Sequence, residues 1–201
     1  MSDFSALRYV DQLPRTEKIA RLIWEIVWPL VFRPTPRWAL HSWRRMLLRA
    51  FGAKVGVGCR IDPTCFVWAP WKLALGDFVA LGPGVDCYSM DHIRIGSKTT
   101  ISQRSFICTG THDVASLLRP LVTKPVTIGS NCWLAAECML MPGVEIGDGA
   151  VIGARSVVTR SMPSWTICAG HPCVPIKNRY INMDEQDLLN YVEGRPVGVA
   201  L

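Results

Sequence analysis

From Ile128 onward the chain places a branched aliphatic residue at every sixth position: Ile128, Leu134, Leu140, Ile146, Ile152 and Val158. Most residues between them are small or polar, and Gly follows the aliphatic at Gly129, Gly147 and Gly153. An amphipathic helix repeats every 3.6 residues and a half-buried strand every two, so neither template explains a period of six. A fixed six-residue period is the signature of a parallel β-helix, in which three short strands close one triangular coil. Each aliphatic then points into the prism, and the residue after it takes the corner, where Gly is conformationally cheap. The same beat runs upstream as Val55, Ile61, Val67, then Leu75, Leu81, Cys87, then Ile95, Ile101, Ile107.

The breaks in phase are equally informative. Two steps, Val67 to Leu75 and Cys87 to Ile95, are eight residues long, which bulges a corner without stopping the stack. From Ile107 to Ile128 the step is 21 residues, so residues 113–126 are expected outside the wall as one extruded loop. Pro120 and Pro125 disfavour continuous strand pairing there. Insertions in a solenoid project from one face and often build the binding face. His112 immediately precedes this loop. Counted from Cys87 and Ile107, His92 and His112 each fall five residues on and are expected to stack on adjacent coils.

Ahead of the repeats the period is helical. Residues 15–32 predict one helix, with Thr16 as N-cap and Pro29 near its end, and residues 36–51 a second closed by Gly52. Trp24, Trp28, Trp38 and Trp43 are interleaved with Arg33, Arg37, Arg44, Arg45 and Arg49. Two readings of this pair stay open. Its apolar stripe caps the open end of the solenoid, or residues 15–51 make peripheral contact with a membrane surface. The apolar stretch Ile19 to Phe32 is 14 residues long and carries Arg21, Glu25 and Pro29. A spanning helix needs ~20 apolar residues, so this one does not cross. The first twenty residues lack the apolar core of a signal peptide. Residues 184–191 predict a short terminal helix. The expected organisation is residues 1–54 as a helical cap or membrane-surface segment, 55–168 as the β-helix with its loop at 113–126, and 169–201 as a tail.

Charge sharpens the division. The net +6 lies wholly in residues 1–54, which hold ten Lys/Arg against four Asp/Glu; residues 55–201 hold twelve of each. A neutral body carries no basic footprint for nucleic acid. The eight cysteines form no Cys-x-x-Cys pair and no Cys/His cluster with zinc spacing. Cys59, Cys65, Cys132 and Cys138 each follow a repeat aliphatic by four residues, a slot that Val144, Ala150 and Ser156 fill later. They read as small core residues with free thiols, which fits a reducing cytoplasm.

Of four histidines, His41 belongs to the N-terminal helices and His171 to the turn leaving the solenoid. His112 stands where chemistry would be placed, because imidazole, with an unperturbed pKa ~6.5, takes a proton from a hydroxyl near neutral pH. A hydrogen-bonded corner residue would look the same from these residues alone. The strings around it go further. Thr111-His112, a loop, then Lys124-Pro125-Val126-Thr127-Ile128-Gly129-Ser130-Asn131-Cys132-Trp133 resemble the hexapeptide-repeat O-acetyltransferases acting on sugars, a group that includes maltose, galactoside and nodulation-factor acetyltransferases. Pro142-Gly143-Val144-Glu145-Ile146-Gly147-Asp148, Val157-Val158-Thr159-Arg160 and Gly170-His171-Pro172-Cys173-Val174-Pro175-Ile176-Lys177 extend the match. Trp28-Pro29-Leu30, Arg33-Pro34, Trp43-Arg44-Arg45, Phe51-Gly52-Ala53-Lys54 and Gly84-Val85-Asp86-Cys87-Tyr88 resemble the colanic acid biosynthesis branch, and the similarity covers about residues 20–180.

The resemblance implies an all-β fold, a left-handed parallel β-helix with N-terminal helices, one extruded loop and a short C-terminal helix. It implies a homotrimer whose site lies between adjacent subunits, acetyl-CoA as donor along the groove between them, and no metal. The acceptor would be a sugar hydroxyl in the assembly of an exported polysaccharide, on a free, nucleotide-linked or lipid-linked sugar. The location would be the cytoplasm, peripheral at the inner face of the membrane. His112 matches the general base. Ala136 matches a backbone N–H facing the thioester, and Trp133 an aromatic at the donor groove. Ala154, Thr159 and Arg160 match contacts to the pantetheine arm and nucleotide, and Lys177 a basic position near the phosphates. Val174 stands where the motif has a second basic residue, so phosphate recognition is expected to be weaker or to come from Arg179 instead. Asp86 is the candidate acceptor contact, and Asp113 replaces the proline that often follows the histidine.

Three competing readings differ in class. A metal-dependent hydratase like the γ-class carbonic anhydrases needs two histidines five residues apart, and positions 107 and 117 are Ile and Leu. A non-catalytic scaffold would have lost the groove residues, yet His112, Trp133, Ala136 and Lys177 are all present. Acyl carrier protein as donor would need an apolar pocket for a longer chain. Thiol reagents that detect released CoA are expected to meet eight competing cysteines.

Overall fold

The computed structural model describes residues 14–182 and 185–192. Each repeat aliphatic is the last inward residue of a two- or three-residue strand, and the three series stack in register. Val55, Leu75, Ile95, Ile128 and Ile146 form the first column, extended to Met162 by a single bridge. Ile61, Leu81, Ile101, Leu134, Ile152 and Cys168 form the second. Val67, Cys87, Ile107, Leu140 and Val158 form the third. All of these pairings are parallel, and nearly every inward side chain in the columns is fully buried. At roughly 1.5–3 kcal/mol for each fully buried aliphatic, this one column-forming rule dominates the stability of the wall.

The slot four residues after each aliphatic is also internal, and it does more than fill space. The Thr99 hydroxyl donates to the Gly129 carbonyl on the next coil at 2.6 Å. The thiols of Cys59, Cys132 and Cys138 reach the carbonyls of Gly76, Gly147 and Gly153 at 3.1, 3.1 and 3.2 Å. A thiol is a weak donor that packs like a small hydrophobe, so it suits a slot with one carbonyl to satisfy. All eight cysteines are buried and free.

Corner geometry differs from the expectation in its cause. The glycine directly after the aliphatic does not adopt positive φ; it is required by crowding. A Cβ on Gly129 would stand 2.4 Å from the Asp148 carboxylate, and one on Gly96 2.5 Å from the Ser130 amide. The left-handed residue comes two positions later and is often not glycine: Phe78, Lys98, Asn131 and Trp165 at one corner, Arg104, Glu137 and Arg155 at another. Such conformations are held by the surrounding coils rather than preferred locally.

The 21-residue step contains a β-hairpin instead of a structureless loop. Gly110–His112 pairs antiparallel with Leu121–Thr123, and the wall resumes at Val126, which pairs with Ile93. The extrusion therefore spans residues 110–125 and not 113–126. His92 and His112 do not stack: Tyr88 pairs with Cys108, His112 leaves along the hairpin, and the His92 carbonyl accepts from the Val126 amide.

At the N-terminal end, helix α1 (Arg15–Val27) runs into one π-helical turn (Trp28–Phe32), and α2 covers His41–Ala50. Pro14, not Thr16, occupies the cap position. The second helix starts at His41 because Leu40 breaks it with φ 58°. Trp24, Phe32 and Leu48 are fully buried against the first coil. Arg44 is buried too, donating to the Ile61 carbonyl at 2.6 Å and the Thr35 hydroxyl at 2.7 Å. The other end closes with the antiparallel pair Thr166–Gly170 and Cys173–Asn178, followed by helix α3 (Glu185–Val192).

Candidate active site

The hairpin carries His112 out of the third wall and holds it at the edge of a cleft. Its imidazole is exposed, with Nδ1 2.7 Å from the Arg119 carbonyl across the hairpin. A carbonyl only accepts, so Nδ1 carries the proton and Nε2 keeps its lone pair free. Arg119 adopts φ 45°, and this left-handed turn aims its carbonyl back at the ring. No sequence signal marks that contact, since a main-chain oxygen does the work whatever the side chain. The cleft, about 410 Å³, is lined by His112 with Thr111, Lys124, Met141, Pro142 and Thr159 among others. Thr159 and Lys124 line the same cleft as His112.

Trp133 lies elsewhere. It stands on the outer face of the second wall between Thr100 and Val151, half exposed, its indole N–H donating to the Ser102 hydroxyl at 3.1 Å. It borders a separate cavity of about 490 Å³ with Lys98, Trp165, Arg179, Ile181 and Tyr191. Ala136 and Ala154 occupy the corner between second and third walls on successive coils, where the Ala136 carbonyl accepts from the Arg155 amide at 2.8 Å. Glu137 braces that corner between Arg104 and Arg155, which hold its carboxyl below the usual range, Arg155 most strongly. Arg160 is exposed beyond Val158, and Lys177 is exposed on the closing strand opposite Ile167. Arg179 is committed elsewhere, donating to the carbonyls of Asn131 and Gly149 at 2.8 Å each.

Asp86 stands on the outer face of the third wall, paired between Phe66 and Phe106. Its Oδ1 is buried with no hydrogen-bond partner, and burial pushes its pKa up to about 6. A carboxyl with one buried, unpartnered oxygen is costly to ionise and offers a hydrogen-bonding group to whatever lies on that face. Among the described residues no group of three His, Cys, Asp or Glu comes together as a metal site.

Known proteins share both the sequence and the architecture. Residues 125–160 match the bacterial transferase hexapeptide (six repeats) family. WcaF of Escherichia coli (strain K12), which carries the name of a colanic acid biosynthesis acetyltransferase, is 44% identical over 157 residues, covering 78% of this chain and 86% of that one. The structure of a maltose O-acetyltransferase from Clostridium difficile 630 superposes with a TM-score of 0.76 at 26% identity, over 84% of this chain and 90% of that chain. VCA0836 from Vibrio cholerae, a hexapeptide-repeat acetyltransferase solved with acetyl coenzyme A, has a TM-score of 0.76 over 90% of this chain and all of its own, at 19% identity, and shares the fold. With a left-handed parallel β-helix in common and near-half identity across three quarters of its length to one member, this chain belongs to the hexapeptide-repeat acetyltransferase family.

Proposed function

We propose that the protein transfers an acetyl group from acetyl-CoA to a sugar hydroxyl during the assembly of a cell-surface polysaccharide. The observation that supports this reading is the held imidazole of His112, with Nδ1–H on the Arg119 carbonyl, in a residue that lines the cleft. In the proposed step Nε2 takes the proton of the acceptor hydroxyl as its oxygen attacks the thioester carbonyl. The tetrahedral intermediate then collapses, the C–S bond breaks, and the departing CoA thiolate takes the proton back from the imidazolium. The Arg119 carbonyl steadies that transient cation through Nδ1–H. The Ala136 amide is the proposed oxyanion donor, and Asp86 the proposed acceptor contact. Trp133, Ala154, Thr159, Arg160 and Lys177 are the proposed donor contacts.

His112 and Trp133 line separate cavities of one chain, and a groove between neighbouring copies would bring the two residues to one donor. This supports a homotrimer with sites shared between neighbours. The hairpin tip agrees, since Val114 and Leu117 are almost fully exposed in the single chain and would be covered by an adjacent subunit.

Titration calorimetry of acetyl-CoA tests the donor without any assumption about the acceptor, and mass spectrometry over a sugar panel then tests the acceptor. Micromolar binding at one site per chain, followed by the mass increase of one added acetyl group on a sugar, is the expected result. A folded protein that takes up no acetyl-CoA overturns the donor assignment.

A further inference from the structure

We infer that the outer face of the N-terminal helix α1 seats the protein on the surface of an anionic phospholipid bilayer. This helix carries two apolar stripes with different fates. The inner stripe is consumed by capping: the Trp24 indole N–H donates to the Val67 carbonyl at 2.6 Å, and Trp28 to the Cys65 carbonyl at 2.9 Å. The outer stripe, Ile19, Leu22, Ile23, Ile26 and Leu30, recurs at helical spacing and stands 49–70% exposed. Because the two tryptophans pin the inner side to the first coil, α1 cannot roll to bury the outer one. Capping and surface contact therefore fall to opposite sides of the same helix. The stripe continues past the helix end, where the Trp43 indole N–H donates to the Val31 carbonyl at 3.3 Å, and Trp38 nearby is 84% exposed. A helix apolar on both sides calls for a second apolar medium, and a contiguous exposed patch of this kind marks an interaction surface.

Charge selects the occupant. The chain's whole +6 lies in residues 1–54 while the β-helix is neutral, and Arg15, Lys18 and Arg33 are exposed around the stripe. Apolar side chains entering the acyl boundary, tryptophans at headgroup level and cations meeting anionic headgroups are the three components of interfacial binding. A second copy meeting this face would bring the same positive charge against itself, which opposes self-association there. No helix among the described residues is long and apolar enough to cross a membrane, so the contact is a peripheral one.

The test is co-sedimentation of the full chain with vesicles of phosphatidylcholine, alone and mixed with phosphatidylglycerol, at low and high salt. The expected result is pelleting with the mixed vesicles that weakens as salt rises. Leu22→Gln/Ile26→Gln should lower the partition coefficient ~10²-fold, from the apolar area of two side chains. Trp38→Ser, on a separate segment, should lower it about tenfold, and serves as the independent variant if circular dichroism finds the double variant misfolded. Absence of pelleting by the wild type, or equal pelleting by wild type and folded variants, overturns the inference. A change in assembly mass caused by the double variant without vesicles would give the stripe to a second copy and overturn it as well.

Discussion

Replacing His112 by Asn and, separately, by Ala divides two roles that a single substitution would confound. The structure gives the imidazole one hydrogen bond, Nδ1 to the Arg119 carbonyl at 2.7 Å across the hairpin, at an exposed position. Asn puts an amide nitrogen close to where Nδ1 sits, so it keeps the bridge while removing the proton acceptor at Nε2. Ala removes both. A net hydrogen bond contributes ~0.5–1.5 kcal/mol, and exposure puts this one at the lower end, so Ala should lower stability by about 0.5 kcal/mol and Asn by less. Loss of a general base lowers turnover by ~10²–10⁴, or roughly 3–5 kcal/mol in the barrier. Both variants should therefore lose kcat to that extent, with acetyl-CoA affinity unchanged by calorimetry and nearly unchanged denaturation midpoints. The assay is the rate of sugar acetylation by mass spectrometry under saturating donor. If His112→Asn retains kcat within tenfold while His112→Ala does not, the residue is a hairpin brace and the base assignment is wrong.

Three further predictions concern the fold that carries the site. Asp86 sits at about 6 in the folded state because of burial, against ~3.9 unfolded; the folded state thus binds the extra proton between these values, and stability falls as pH rises through that window. The full displacement would correspond to about 3 kcal/mol above pH 6, which partial exposure reduces to ~1 kcal/mol. Asp86→Asn should accordingly raise the urea midpoint at pH 7 and lose that gain near pH 4, while weakening the acceptor KM; an equal gain at both pH values would refute the cause. Burial raises the pKa of most of the eight thiols above the ordinary value, Cys138 and Cys168 to about 11, so a thiol reagent should label none in the native protein within minutes and all eight after denaturation. Contrary to the expectation from their number, they then leave a released-CoA assay usable. Gly129→Ala should destabilise by ~1–3 kcal/mol in denaturant titration, because its Cβ would meet the Asp148 carboxylate at 2.4 Å and amide at 2.7 Å; an unchanged midpoint would show that the coils slide apart freely.

What could be read from the chain alone was whatever repeats. The columns ending in Ile128, Leu134 and Leu140 are a one-dimensional pattern, since each coil contacts only its neighbours, so spacing by itself dictated the solenoid and the cysteine slot. The same logic located the extrusion after Ile107, and the motif strings around His112 and Trp133 carried the family. Tertiary structure decided everything that joins residues without a fixed spacing. Pairing of Gly110–His112 with Leu121–Thr123 turned a loop into a hairpin and separated His112 from His92. The Arg119 carbonyl chose the imidazole tautomer, and a main-chain oxygen leaves no mark in composition. Cross-coil register set Asp86 between Phe66 and Phe106, and packing buried one of its oxygens. Packing of Trp24 and Trp28 against the first coil left Leu22 and Ile26 facing outward, a division between two apolar stripes of one helix that only packing makes, because hydrophobicity alone does not say which side meets the protein.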